Sequence, residues 1–107
     1  EAARATMPDL AEPVWQASES LREAVEILVT RDMADRFGGV VPFLRAFARV
    51  LGAYFHLRAA IAEPGTATER LARFYITRLL PEHIGLLSHA LEDTATLMAI
   101  TPEDLAV

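Results

Sequence analysis

Apolar residues recur at steps of three and four through three long stretches of this chain, and this spacing limits its fold more than any other feature. Such spacing places the apolar side chains on one stripe of an α-helix. The first stripe comprises Leu10, Val14, Ala17, Leu21, Ala24 and Leu28. The third comprises Ala72, Ile76, Leu80, Ile84, Leu87, Leu91, Ala95 and Met98. The sequence therefore predicts an all-α fold, an up-down antiparallel bundle of three long helices.

The second stretch, from Pro42 to about Ala62, predicts a helix with two neighbouring apolar stripes. One stripe comprises Phe43, Phe47, Val50, Tyr54, Leu57 and Ile61, and the other comprises Leu44, Ala48, Leu51 and Phe55. The polar strip that remains is narrow and consists of Arg45, Arg49, Gly52, His56 and Glu63. Each helix of a small bundle covers only part of its neighbour, so we expect some of this apolar surface to be a docking face.

Turn and cap signals predict where the helices begin and end. The Gly38-Gly39 pair is a stop signal for the first helix, and Pro64-Gly65 predicts the turn after the second. Thr66, followed three residues later by Glu69, predicts a capping box at the start of the third helix. Thr101 as a cap, with a proline after it, indicates a further helix start in a segment too short to propagate a helix.

Pro81 interrupts the third stretch without changing its apolar spacing. A hairpin at this position would have no reason to preserve the register of the stripe. A kinked helix, in contrast, loses only about one hydrogen bond at a proline and keeps its direction. The spacing therefore predicts a third helix kinked at Pro81. The alternative is a short turn at residues 81–83 that splits this helix into two and gives four helices in all.

Length and composition predict one domain and exclude several functions. A chain of 107 residues that is 52% hydrophobic fits a single helical domain, predicted at residues 9–107 after a tether or leader at residues 1–8. The absence of cysteine excludes disulfides and thiol nucleophiles and fits a cytoplasmic protein. A net charge of −5 argues against nucleic-acid binding. The sequence begins with Glu1 rather than Met, which indicates either a processed start or an excised piece of a longer protein, and we expect the excised piece.

The longest apolar runs are interrupted by charged residues, so no membrane span is predicted. No catalytic, cofactor-binding or metal-binding residue is predicted either. His56, His83 and His89 lack the Glu-x-x-His spacing of di-iron bundles and are predicted to be solvated or helix-end histidines. The glycines form no phosphate-binding loop, and Ser88 beside His89 does not make a nucleophile–base pair.

Two sets of residues are candidates for contacts with a partner. Arg45 and Arg49, four residues apart on one helix, could hold an acidic group bidentately. The alternative is an exposed face with local ion pairs. The candidate interface residues are Trp15, Phe43, Phe47, Tyr54 and Phe55. For the tryptophan, packing at the edge of the bundle is an equal alternative.

Several groups of residues together have a familiar arrangement. They are Phe43-Leu44, Gly52, "ARFY" at residues 72–75 and "LLP" at residues 79–81. With these residues, "VPFLRAFARVLGAYFHLRAA" and "ERLARFYITRLLPEHIGLLSHALEDTATLMAI" resemble the C-terminal helical domain of the longer FAD-dependent acyl-CoA dehydrogenases, the acetyl-CoA dehydrogenase C-terminal-like family.

The resemblance implies an accessory helical domain with a structural, interface-forming role. Such a domain packs on the upstream dehydrogenase core or on a neighbouring subunit of a homo-oligomer. FAD and the catalytic carboxylate belong to the upstream domains of those enzymes, so this fragment is expected to hold no cofactor and to be inactive alone. One alternative is a free-standing helical module that homodimerises through its second helix. Another is a carrier of small apolar ligands with a pocket between the Phe-rich helices.

Overall fold

The computed structural model describes residues 5–93, 95 and 99–106, and that part of the chain contains helices and no strand. The helices are α1 (Pro8–Leu28), α2 (Met33–Ala62), α3 (Ala67–Phe74) with a π-helix directly after it (Tyr75–Leu79), α4 (Glu82–Ala90) and α5 (Pro102–Leu105). The helix α2 contacts each of α1, α3 and α4. The predicted all-α bundle of long helices is therefore confirmed.

The described residues leave part of the predicted organisation untested. Met98 of the third stripe and residues 1–4 of the predicted leader lie outside them. Within the predicted leader, Met7 is buried and joins the same apolar core as Leu10. The division into a leader and a helical domain stays a prediction.

The second helix begins nine residues before its predicted start at Pro42. Asp32 is its N-cap, and its carboxylate accepts a hydrogen bond of 3.0 Å from the backbone N–H of Asp35. This contact satisfies a donor that the first turn leaves without a partner. The prediction that Gly38-Gly39 ends the first helix is wrong, because α1 ends at Leu28 and both glycines lie inside α2.

Gly39 is inside α2 because the chain packs closely there. A Cβ atom at this position would overlap the backbone oxygen of Ala90, at the end of α4. A glycine within a helix costs roughly 1 kcal/mol relative to alanine. The close approach of the two helices requires a residue without a side chain, so this glycine is a packing residue and not a stop signal.

The third stretch keeps its direction through Pro81. Gly39 of α2 lies against the end of α4, and Gly52 lies against Tyr75 at the start of the π-helix. The antiparallel register along α2 thus continues on both sides of the proline, as a kinked helix requires and a hairpin would not allow. The regular helix is nevertheless interrupted, since the π-helix and a two-residue turn separate α3 from α4.

The third apolar stripe is confirmed only in part beyond Pro81. Ala72, Ile76, Leu80 and Leu87 are buried as predicted. Ile84, which the spacing placed in the core, is 66% exposed, and His83 is buried instead. The buried positions take a step of three after Leu80 where the prediction took a step of four.

The caps predicted at Thr66 and Thr101 differ in outcome. At the start of α3 the Thr66 hydroxyl donates to the backbone oxygen of Glu63 at 2.6 Å, and the side chain makes no cap hydrogen bond. The capping box predicted there is absent, although the helix begins where expected. At α5 the box is complete, because Thr101 accepts from the N–H of Asp104 and the Asp104 carboxylate accepts from the N–H of Thr101.

Among the described residues, α2 is the one helix that is long and apolar enough to cross a membrane by length and composition. Arginines at positions 45, 49 and 58 interrupt its apolar residues. The core helix of a bundle can meet the same criterion; α2 contacts each of its neighbours, and 22% of its apolar stretch is buried. The prediction of no membrane span therefore stays a prediction.

Candidate functional site

One side of α2 presents large apolar side chains to solvent along most of its length. Their exposed fractions range from 42% for Leu51 to 68% for Phe37. We call this surface the outer face; it comprises Met33, Phe37, Val40, Val41, Leu44, Phe47, Leu51, Tyr54 and Phe55. All four residues of the predicted second stripe are exposed, and three of them belong to this face.

The outer face is large for a protein of this size. A fully exposed large side chain presents roughly 150–250 Å². With about half of that exposed at each of these positions, the face presents on the order of 900 Å² of apolar surface. The largest apolar patch of a typical monomer is about 300–600 Å², and a standard interface buries about 800 Å² per partner. The face is therefore as large as one side of a standard protein interface.

The opposite side of α2 is built from small residues. Gly39, Ala46, Ala53 and Ala60 recur every seven residues and are buried. On α1 the buried pair Ala17 and Ala24 repeats the same spacing. Small residues allow neighbouring helices to approach closely. This seven-residue spacing of small residues is the sequence signal that distinguishes the core side of α2 from the outer face, and the stripes of large apolar residues do not contain it.

The predicted interface residues lie in three different environments. Phe47, Tyr54 and Phe55 belong to the outer face. Phe43 is partly buried and packs against the core residues Ala24, Ala46 and Leu87. Trp15 is 47% exposed on α1, away from the other four in sequence and on a different helix. The structure brings three of the five candidates onto one surface, and their role in an interface stays a prediction.

The two predicted anion-contact residues line one cavity beside the outer face. It has a volume of about 340 Å³ and opens between α2, the π-helix and the start of α4. Its lining comprises Arg45, Ala48, Arg49, Tyr75 and Glu82. The Arg49 guanidinium lies 3.1 Å from the Glu82 carboxylate. We call this space the arginine cavity.

Tyr75 holds one wall of the arginine cavity in place. Its hydroxyl donates a hydrogen bond of 3.1 Å to the backbone oxygen of Arg49. Gly52 makes this contact possible, because a Cβ atom there would overlap the tyrosine hydroxyl. The His56 ring stacks on the tyrosine at 4.6 Å between centroids. Much of the predicted polar strip of α2 therefore faces the third stretch, where it supports the cavity.

The cavity has an excess of positive charge. The Tyr75 hydroxyl, and then the charge of Glu82, raise the pKa of Arg49 above its ordinary value. Arg45 is exposed and makes no ion pair or hydrogen bond through its side chain within residues 5–93, 95 and 99–106. Two guanidinium groups thus face a single carboxylate.

The three histidines occupy three separate places. His56 stacks on Tyr75, and His89 is exposed with its Nδ1 3.5 Å from the Glu92 carboxylate. His83 lies near the start of α4 and is buried. Its Nδ1 lies 2.6 Å from the backbone oxygen of Leu80, and because a carbonyl can only accept, this nitrogen is the donor. Among the described residues, no three acidic or histidine side chains are grouped to hold a metal.

Two further cavities lie between α1 and α4. Their volumes are about 270 and 250 Å³, and His83, Ile84 and Ser20 line both of them. Neither is lined by a phenylalanine. They are therefore not the pocket between Phe-rich helices that an apolar-ligand carrier would need.

The chain is similar to a known protein family. The sequence model of the family described as acetyl-CoA dehydrogenase C-terminal like matches residues 1–101. No curated protein and no solved structure gives a significant match to the chain.

Proposed function

Since this chain belongs to the acetyl-CoA dehydrogenase C-terminal-like family, we propose that it is the accessory C-terminal domain of a flavin-dependent acyl-CoA dehydrogenase. In this proposal the domain has no catalytic residue of its own. It docks through the outer face of α2 on the dehydrogenase core of the same protein. Its role is to stabilise that core and the assembly of its subunits.

The observation that carries the proposal is the outer face itself. Apolar surface in water costs roughly 25 cal/mol per Å², so on the order of 900 Å² is unfavourable by about 20 kcal/mol. This value is an upper limit on the free energy that docking can gain, because association also costs translational, rotational and side-chain entropy. Neighbouring helices of the bundle cover the opposite side of α2 and leave this one exposed. A partner surface is the simplest way to remove it from water.

The remaining parts of the proposal follow from the family. The parent protein would bind FAD in domains upstream of this one, form a homo-oligomer and act in the cytoplasm on an acyl-CoA thioester. The family match at residues 1–101 supports the association with acyl-CoA dehydrogenases. The lack of cysteine in the sequence agrees with a reducing compartment.

The first test is the intact mass and visible absorption of the protein purified in native form from its source. The proposal predicts a chain several times longer than 107 residues with the absorption bands of bound flavin. A colourless protein of about this length would overturn the proposal. It would leave a free-standing helical module in its place.

The second test asks whether the outer face is the docking surface. In the native protein, Phe55→Glu and Leu44→Glu should detach the domain while the helical circular dichroism of the protein is retained. Met33 is a reporter within the face, because a covered methionine reacts slowly with peroxide and an exposed one reacts quickly. Both variants should accelerate oxidation of Met33.

Ile84→Glu is the matched control for these variants. Ile84 is 66% exposed and lies on α4, beside cavities that α1 lines and α2 does not. This control should leave the oxidation of Met33 slow. If all three variants behave alike, or if Met33 already reacts fast in the unaltered protein, the outer face is not covered and the docking role is wrong.

A further inference from the structure

The charges on α2 limit what its outer face can bind. From Arg36 to Arg58 the helix contains four arginines and no acidic residue, although the whole chain has a net charge of −5. Of these four, Arg49 is ion-paired, to Glu82. The outer face is therefore an apolar surface flanked by positive charge on an otherwise acidic domain.

This charge distribution disfavours a second copy of the same face as the occupant. Two outer faces packed against each other would bring the arginines of one copy close to those of the other. Like charges brought together in an interface cost free energy and reject that partner. A partner that complements the face has an apolar patch flanked by carboxylates.

Arg45 is the point where such a carboxylate would bind. It lies one helical turn from Val41 and Ala48, at the edge of the outer face, and opens into the arginine cavity. Glu82 already pairs with Arg49, whereas the Arg45 guanidinium has no acceptor in the part of the chain that the structure describes. The cavity thus contains two positive charges, on Arg45 and Arg49, and one negative charge, on Glu82.

We propose that the arginine cavity receives an Asp or Glu side chain of the dehydrogenase core when the outer face docks. The inference rests on the proposed function and specifies the chemistry of the partner surface. The incoming carboxylate accepts a bidentate hydrogen bond from Arg45, beside the existing pair of Arg49 and Glu82. Tyr75 and Gly52 keep the wall of the cavity fixed, so little reorganisation accompanies binding.

The test uses an arginine-selective dicarbonyl reagent on the native protein, with the modification of each arginine followed by mass spectrometry. Arg70 is the internal control, because it is an exposed arginine on α3 and not on α2. A bidentate carboxylate should slow the modification of Arg45 by about ten-fold or more relative to Arg70. Equal rates would overturn the inference.

Charge reversal gives the second readout. Arg45→Glu in the native protein should weaken docking about ten-fold or more, seen as faster peroxide oxidation of Met33, while Arg45→Lys should keep part of the effect because it keeps the charge. Arg70→Glu should leave the oxidation rate unchanged. Unchanged oxidation in Arg45→Glu would overturn the inference.

The two proposals fail in different ways. If Phe55→Glu exposes Met33 and Arg45→Glu does not, docking through the outer face stands and the carboxylate inference is wrong. If neither variant exposes Met33, both are wrong. If Arg45 becomes protected only after inorganic phosphate or CoA is added, the cavity holds a phosphate group instead of a protein carboxylate. That result also overturns the inference.

Discussion

The two sides of α2 have opposite compositions. The side facing the bundle is built mainly from glycine and alanine, with Val50 and Leu57 as its larger members. The side facing solvent carries nine large apolar residues, four of them aromatic. In a helix whose apolar residues serve only its own core, the largest side chains are the buried ones. Here the largest side chains are exposed.

The difference between the two sides shows what each one does. Small residues let α1, α3 and α4 approach α2 closely, and among the phenylalanines of α2 it is Phe43 that packs against the core while Phe37, Phe47 and Phe55 stay exposed. Among the buried residues of the described chain, Leu80 is the one large side chain that is fully buried. The bulky residues of α2 are therefore available for a second surface, which is the reason to assign them to docking.

The strongest test of the comparison is to shorten one leucine on each side of the same helix. Leu57 is 5% exposed and Leu51 is 42% exposed. Leu57→Ala should reduce the free energy of unfolding by about 2–5 kcal/mol, because it leaves a cavity in the core. Leu51→Ala should cost the 107-residue chain less than about 1 kcal/mol. Urea unfolding of the two variants measures both changes. Equal losses would mean that both sides of α2 are core.

The second test adds a methyl group to a glycine in two helices. Gly39→Ala should cost roughly 1–3 kcal/mol of stability, since the new Cβ would overlap the backbone oxygen of Ala90 and backbone cannot move cheaply. Gly85 on α4 has nothing within 4 Å of a built Cβ atom. Gly85→Ala should stabilise the chain by about 0.5–1 kcal/mol. Thermal unfolding measures whether each substitution lowers or raises the stability of the chain. A stabilising Gly39→Ala would contradict the close packing at Ala90.

A smaller effect is expected where α2 meets the π-helix. Gly52→Ala should displace the Tyr75 hydroxyl and remove its hydrogen bond to Arg49, at a cost of about 0.5–1.5 kcal/mol. Tyr75→Phe removes the same bond without adding an atom. Adding Gly52→Ala to Tyr75→Phe should therefore cost less than Gly52→Ala alone, and denaturant unfolding of the three variants checks this. If the stability losses of the two substitutions add fully, Gly52 acts independently of the Tyr75 hydrogen bond.

The smallest effect concerns an exposed ion pair between α1 and α3. The Arg73 guanidinium donates to the Asp9 carboxylate at 2.6 Å and lowers the pKa of that carboxyl. A lowered pKa stabilises the fold above the ordinary pKa of about 3.9 and ceases to do so as the pH falls through the folded value. Asp9→Asn should therefore unfold slightly more easily than the original chain near neutral pH, and the two should converge in acid. Thermal unfolding across this pH range measures the difference in stability between the two chains. A difference that persists in acid would have a cause other than the ion pair.

Much of the fold could be predicted from local patterns. The stripe of α1, the end of α2 at Ala62 and the cap at Thr101 each depend on residues a few positions apart, and all three agree with the structure. The start of α2 was also within reach, because Asp32 is a strong N-cap residue. Gly38-Gly39 competed with this signal, and the contact with Ala90 that explains Gly39 joins residues far apart in sequence.

The candidate site was only partly predictable, for a related reason. The width of the apolar surface on α2 indicated that a docking face exists. Which large residues form that face depends on which side neighbouring helices cover, and this is a tertiary property. Phe47 and Tyr54 share a stripe with Val50, yet they are exposed and Val50 is buried. The arginine cavity needed Tyr75 and Glu82 as well, and no local spacing connects them to Arg45.

The most direct test of the central claim is hydroxyl-radical labelling of the native protein, read residue by residue by mass spectrometry. Phe37 and Ile84 have nearly equal exposure in the chain, 68% and 66%. After correction for intrinsic reactivity, docking predicts that Phe37, Leu44, Leu51 and Phe55 are strongly protected from labelling. Ile84 should be labelled freely. Equal labelling of Phe37 and Ile84 would show that the outer face is uncovered in the native protein and would contradict the account.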